Sequence, residues 1–379
     1  MPLHNKVKTA KALSQEAIYK LTDFQQGKRK LVKAGRDYID KHLTGILPSD
    51  VLTFFAPSGI GKTEEFCKIF SNFLNKKINP DANNYVSLEF NLEMLYFNLF
   101  LRNTAKSLGK KKSEVILEEF TKEEQAVIKE YHEALSDRRR FIVEESVNTK
   151  EFFEIIDTFC EENKSKDGIF IGIDHCKLIL PSEKGEDPLE TMTTYINIIR
   201  KKYRNVYFIL LSQVNRTYYN VEPKERSNSA VPTTSMIFGA SHFEFLSSYI
   251  IAIVNPFKTF GIQEYMKVKA DRYPHLSEFE TSEDKKGYVS YNAVGNMFYH
   301  ILKLRDSDCI FETLHIEKMD LPQDQLDKMK QSVEDKPETL KTISLPVFDG
   351  FTNPTSPLPT VKPLEAFGHS FENKDDVPF

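Results

Sequence analysis

Lys62 and Thr63 follow two closely spaced glycines in the stretch Ala56-Pro57-Ser58-Gly59-Ile60-Gly61-Lys62-Thr63. Gly59 and Gly61 let the backbone fold tightly, so that successive N–H groups point inward at phosphate oxygens. The Lys62 ammonium would reach the β- and γ-phosphates, and the Thr63 hydroxyl would ligate Mg²⁺. Ala56, Ser58, Gly59, Gly61, Lys62 and Thr63 are therefore read as a triphosphate cradle, with ATP and Mg²⁺ as its cofactors. Three more side chains close apolar runs further along: Glu89, Asp174 and Gln213. An acid finishing an apolar strand is costly to bury unpaired, so it meets a cation or a metal. Asp174 is expected to join Thr63 at the Mg²⁺ through a bound water. Glu89 is expected to orient or deprotonate the attacking water, and Gln213 to sense the γ-phosphate.

These groups need a scaffold that delivers them to one edge. Val51–Phe55 reads as a buried strand entering the cradle, and Phe66, Ile69 and Phe70 mark the apolar face of a helix leaving it. Tyr85–Phe90, Gly168–Asp174 and Val206–Gln213 read as further strands, with Asn91 placed to cap a helix directly after the second. Helical spacing at Thr149–Asn163 and Leu189–Lys202 separates them. Tyr249–Val254, Met297–Leu304 and Phe311–Ile316 are later strand candidates. Strands alternating with helices give an α/β fold, a mostly parallel twisted sheet with helices on both faces. In such sheets ligands sit at the carboxyl ends of the strands.

The 379 residues suit one large domain or two ordinary ones, and 40% hydrophobic with 28% charged residues is ordinary for a globular protein. No apolar run reaches membrane-spanning length, and the four widely spaced cysteines form neither a metal pattern nor a disulfide framework. A protein of a reducing cytoplasm is expected. Residues 1–44 carry ten Lys/Arg against four Asp/Glu, while residues 331–379 carry four against eight. A basic front and an acidic tail suggest two kinds of contact. The organisation read from this is a basic helical arm at 1–34, an ATPase domain at 35–322, and a low-complexity, disordered acidic tail at 323–379.

Five motifs in consistent order resemble the ATPase domain of the DnaB-type replicative helicases, ring motors of the RecA-like P-loop fold. They are Gly35 with Ile39-Asp40 and Gly45; the cradle; Ser87-Leu88-Glu89-Phe90 followed by Asn91, Glu93 and Leu95; Asp174-His175-Cys176-Lys177-Leu178; and Leu211-Ser212-Gln213-Val214-Asn215-Arg216. This alignment selects Glu89 as the family's catalytic carboxylate and sets aside Asn91-Leu92-Glu93-Met94 as a decoy. Lys303-Leu304-Arg305 looks like the family's Lys-x-Arg, which reaches the neighbouring subunit's nucleotide.

The resemblance implies a hexameric ring that hydrolyses NTP between subunits, translocates on single-stranded DNA and unwinds duplex during replication. Channel loops would carry Lys184, Arg216, Lys224 and Arg226. The tail's Asp375-Asp376-Val377-Pro378-Phe379 resembles the tip of single-stranded-DNA-binding proteins, which implies docking of a replication partner through Asp375, Asp376, Pro378 and Phe379. Three departures stand out: Ala56 replaces the first loop glycine, no Gly-x-x-Gly follows Arg305, and a short basic segment is expected in the place of the family's N-terminal helical domain. They leave open a non-unwinding RecA-fold ATPase, such as a recombination mediator or helicase loader, or a nucleotide-binding scaffold ring.

Overall fold

The computed structural model describes residues 7–28, 31–43, 45–135, 137–219, 232–260, 265–269, 282–283, 288–292, 295–304 and 313–319. Helix α1 spans Ala10–Gln25 and α2 Asp37–Leu43; strand β1 (Val51–Ala56) then runs into the cradle and α3 (Lys62–Phe73) out of it. After β2 (Tyr85–Asn91) come α4 (Tyr96–Leu108), α5 (Lys112–Leu117), α6 (Lys122–Leu135), β3 (Arg140–Val143) and α7 (Thr149–Glu162). Strand β4 (Gly168–Asp174), α8 (Pro188–Lys202) and β5 (Val206–Gln213) follow, then α9 (Ala240–Leu246), β6 (Tyr249–Val254) and α10 (Pro256–Phe260). Strands β7 (Tyr265–Lys269), β8 (Ser282–Glu283) and β9 (Tyr288–Asn292) form a small antiparallel sheet. Strands β10 (Asn296–Leu304) and β11 (Thr313–Lys318) complete the chain's main sheet.

That sheet has eight strands in the order β11-β10-β6-β1-β5-β4-β2-β3. The six from β6 to β3 are parallel, and β10 and β11 close one edge antiparallel. Strands β1, β2, β4 and β6 are buried along their whole length, which explains their continuous apolar runs. Two apolar layers hold the sheet. Phe152 and Ile156 of α7, Met192 and Ile196 of α8, and Phe243 of α9 cover one face. Phe66, Ile69, Phe70 and Phe73 of α3, with Tyr38 and Ile39 of α2, cover the other. Helix α3 lies so close that a Cβ at Gly172 would sit 2.4 Å from the rings of Phe66 and Phe70. Only glycine permits that approach. It brings the start of α3 down onto the tip of β4.

One boundary departs from the sequence expectation, and it matters for the site. Strand β2 continues through Asn91, paired with Asp174, so Asn91 is a strand residue and not a helix cap. Helix α4 starts five residues later, with Leu95 at its N-cap position and no side-chain cap. Glu89 is therefore two residues short of the strand tip, level with Gly172. The proposed tail, with Asp375, Asp376, Pro378 and Phe379, lies outside the described residues, as do Lys224, Arg226 and Arg305.

Candidate functional site

Strand β1 ends at Ala56, whose methyl is buried and whose backbone is not among the positive-φ residues. The position therefore makes no demand for glycine, and alanine serves. Gly59 and Gly61 do have left-handed backbones, with φ of 74° and 108°, and Gly61 is the N-cap of α3. Lys62 folds back over the loop, and its Nζ donates to the carbonyls of Ala56 at 3.0 Å and Pro57 at 3.2 Å. Burial lowers the Lys62 pKa, against the pull of Asp174 and Glu93. These two carboxylates are thus the anions that this ammonium faces.

Asp174 closes β4 at 3% exposure and accepts a hydrogen bond from the Thr63 side chain. Burial raises its carboxyl to about 6; repulsion from Glu93 adds to this, and the Thr63 bond, Lys62 and Arg102 oppose it. Its Oδ1 is buried with no hydrogen-bond partner among the described residues. A buried carboxylate oxygen left without a donor beside a threonine hydroxyl fits a hard divalent cation such as Mg²⁺.

Glu89 does not reach this cradle. Its fully buried carboxylate receives Nε and Nη2 of Arg140 from β3, both at 2.6 Å, with the Arg140 side chain only 3% exposed. Burial alone would lower the Arg140 pKa, but Glu89 beside it holds it above its ordinary value. A pair closed in this way is not open to a water over the loop. The reason for the displacement is the strand's extra length: the acid sits below the tip, beside Cys67 on the second turn of α3.

Glu93 takes the place expected of Glu89. It follows the tip of β2, and the backbone N–H groups of Leu92 and Glu93 donate to the Asp174 carbonyl at 2.8 and 3.3 Å. Together with Ser58, Gly59, Gly61, Lys62 and Thr63 it lines a cavity of about 550 Å³. Arg102, from the facing side of α4, also lines this cavity and has a buried Nη2 with no hydrogen-bond partner among the described residues. Sequence reasoning overlooked Arg102. For Glu93 the available signal was the phrase Leu92-Glu93-Met94, which keeps the family's Leu-Glu-Met letter for letter.

Gln213 ends β5 next to the cradle strand, level with Ala56. Its Nε2 is 3.1 Å from Nε2 of His175, and that same ring nitrogen is 3.8 Å from the Glu93 carboxylate. Burial lowers the His175 pKa, which favours the neutral ring. A chain of polar contacts thus runs from Glu93 through His175 to Gln213, at the root of the segment that follows β5.

Lys184 and Arg216 are exposed on the segments leaving β4 and β5, which emerge from the same sheet edge as the cradle. Tyr218 is buried, leaving Tyr219 as the exposed ring of that pair. Lys303 lies at the opposite end of the sheet: it pairs with Ile250 at the start of β6, and its ammonium donates to the Glu244 carbonyl. It therefore does not serve the cradle of its own chain.

The profile of the DnaB-like helicase C-terminal domain family matches residues 32–237. Among solved structures, the chain is similar to an ATPase domain, with a TM-score of 0.60 at 14% identity, covering 83% of this chain and 100% of that one. It is also similar to a DnaB-like replicative helicase described with its interactions with primase, with a TM-score of 0.54 at 15% identity. That match covers 82% of this chain and 64% of the helicase. At these identities the likeness speaks to the fold. No curated protein sequence matches.

Proposed function

The chain belongs to the DnaB-like helicase C-terminal domain family and is a helicase-type ATPase, and we propose that it is the motor of a ring that translocates on single-stranded DNA and unwinds duplex. The observation that carries this reading is the convergence of Lys62, Thr63 and Glu93 on one cavity, with Asp174 bonded to Thr63 behind them and Gln213 tied to Glu93 through His175. In this reading the N–H groups of residues 59–63 and the Lys62 ammonium hold the β- and γ-phosphates of ATP. Thr63 and Asp174 would hold Mg²⁺, which when bound neutralises charge on the phosphates. Glu93, carried beyond the strand tip, orients the water that attacks the γ-phosphate and takes up its proton. Arg102 adds a guanidinium to the same cavity. Glu89 has a different task, locking β2 to β3 through Arg140.

Loss of the γ-phosphate alters the partners of Gln213 and His175. Because Gln213 opens directly into the segment bearing Arg216, Lys224 and Arg226, that change moves the DNA-facing side. Lys184 and these residues grip the strand by its backbone, since few exposed rings accompany them. Lys303 sits far from its own cradle, which supports its service, with Arg305, to a neighbouring subunit in a hexamer. An arginine supplied in trans is worth roughly 10³–10⁵ in rate and makes turnover depend on assembly. Residues 1–34 act as an arm toward the neighbour, 35–322 as the motor body, and 323–379 as a tail whose terminal Phe379 docks a replication partner.

ATP hydrolysis with and without single-stranded DNA, next to strand displacement on a forked duplex, tests the proposal. A motor gives DNA-stimulated hydrolysis and displacement. Stimulated hydrolysis without displacement supports a mediator or loader, and neither supports a scaffold ring.

A further inference from the structure

Lys258 reaches the phosphate loop from a part of the chain that no motif singles out. Strand β6 runs parallel to β1, so its carboxyl end emerges beside the cradle. Asn255 follows at 3% exposure and fixes the next turn: its Oδ1 accepts from the Lys258 N–H at 2.9 Å, and its Nδ2 faces the sulfurs of Met297 and Met319. From this anchored turn, the α10 helix that opens at Pro256, the Lys258 ammonium donates to the Gly59 carbonyl at 2.5 Å. It lines the same cavity as Lys62, Thr63 and Glu93. No carboxylate pairs with it among the described residues. An ammonium carries three donors, and the loop carbonyl uses one.

We propose that Lys258 is a second lysine of the triphosphate site, supplied by the same chain, whose ammonium bonds oxygens of the β- and γ-phosphates while holding the tip of the loop. This rests on the reading of the cavity as a triphosphate site. Lys62 serves the phosphates from inside the loop, where burial and two carbonyls fix it. Lys258 serves them from the exposed rim of the same cavity. Its contribution is charge delivered to the polyphosphate, independent of the base.

Titration calorimetry with ATP and with inorganic tripolyphosphate, each with Mg²⁺, separates this from a purely structural role. Lys258→Gln keeps an N–H for the Gly59 carbonyl and loses the charge; Lys258→Arg keeps the charge. We expect Lys258→Gln to weaken ATP and tripolyphosphate alike by about tenfold, the lower end for a charge-assisted bond. Lys258→Arg should bind both like wild type, and the melting temperatures of both variants should match wild type. Wild-type affinity of Lys258→Gln for both ligands overturns the inference. Failure of the wild-type protein to bind either ligand overturns instead the triphosphate reading on which it rests.

Discussion

Glu89 and Arg140 join β2 to β3 by two hydrogen bonds of 2.6 Å, with the Glu89 carboxylate fully buried and the Arg140 side chain nearly so. Removing one partner strands a buried charge, which costs about 3–5 kcal/mol, whereas replacing both with apolar groups of similar volume is often neutral. Chemical denaturation should therefore show Glu89→Gln and Arg140→Met strongly destabilised. The double variant Glu89→Met with Arg140→Met should recover most of the wild-type stability. A double variant as unstable as the singles would mean that the pair's geometry, not its charge balance, holds the edge of the sheet.

Asp174 sets a pH dependence of the nucleotide-free protein. Its folded carboxyl titrates near 6, raised chiefly by burial from the ordinary value of 3.8. A raised folded pKa means that the folded state holds the proton more tightly. The stability from this group is complete below about pH 4 and is lost as pH rises to about 6. At 1.36 kcal/mol per unit, the loss is on the order of 3 kcal/mol. Asp174→Asn should thus be more stable than wild type at pH 7, with the difference vanishing near pH 4. Parallel denaturation curves for the two proteins across that range would remove Asp174 from the account.

Gln213 stands at the end of β5, at the root of the segment proposed to bind DNA, with its amide nitrogen 3.1 Å from a His175 ring nitrogen. Gln213→Ala should keep nucleotide affinity and basal turnover within a few-fold of wild type. Its stimulation by single-stranded DNA should disappear, and His175→Phe should behave the same way. Steady-state hydrolysis with increasing DNA reads this directly. Normal stimulation in both variants would show that coupling runs elsewhere.

The parts of this molecule that were legible in the sequence are those where one residue type is forced. Gly59, Gly61, Lys62 and Thr63 announce a phosphate loop because two glycines, a lysine and a threonine at that spacing between strand and helix are what such a loop requires. The alternation of apolar runs with 3.6-residue spacing gives the mostly parallel sheet, and the abrupt acid after Gly168–Ile173 marks a true strand end at Asp174. The end of the second strand is hard to read because Ser87, Glu89 and Asn91 are polar residues buried inside it, where periodicity looks for apolar ones. Glu89 reads as a strand-ending acid only because its cation, Arg140, lies 51 positions away. The roles of Arg102 and Lys258 depend on α4 and β6 folding back onto the loop, and no local pattern encodes that contact.

In the proposed mechanism Glu93, and not Glu89, is the carboxylate that serves the attacking water. ATP turnover and ATP affinity, measured for Glu93→Gln beside the Glu89→Met, Arg140→Met double variant, test it most directly. Glu93→Gln should bind ATP like wild type and lose about 10²–10⁴ in turnover, the usual worth of a positioned general base. The double variant should fold, bind and hydrolyse at a rate close to wild type. A Glu93→Gln protein that hydrolyses normally, or a folded, ATP-binding double variant that does not hydrolyse at all, would contradict it.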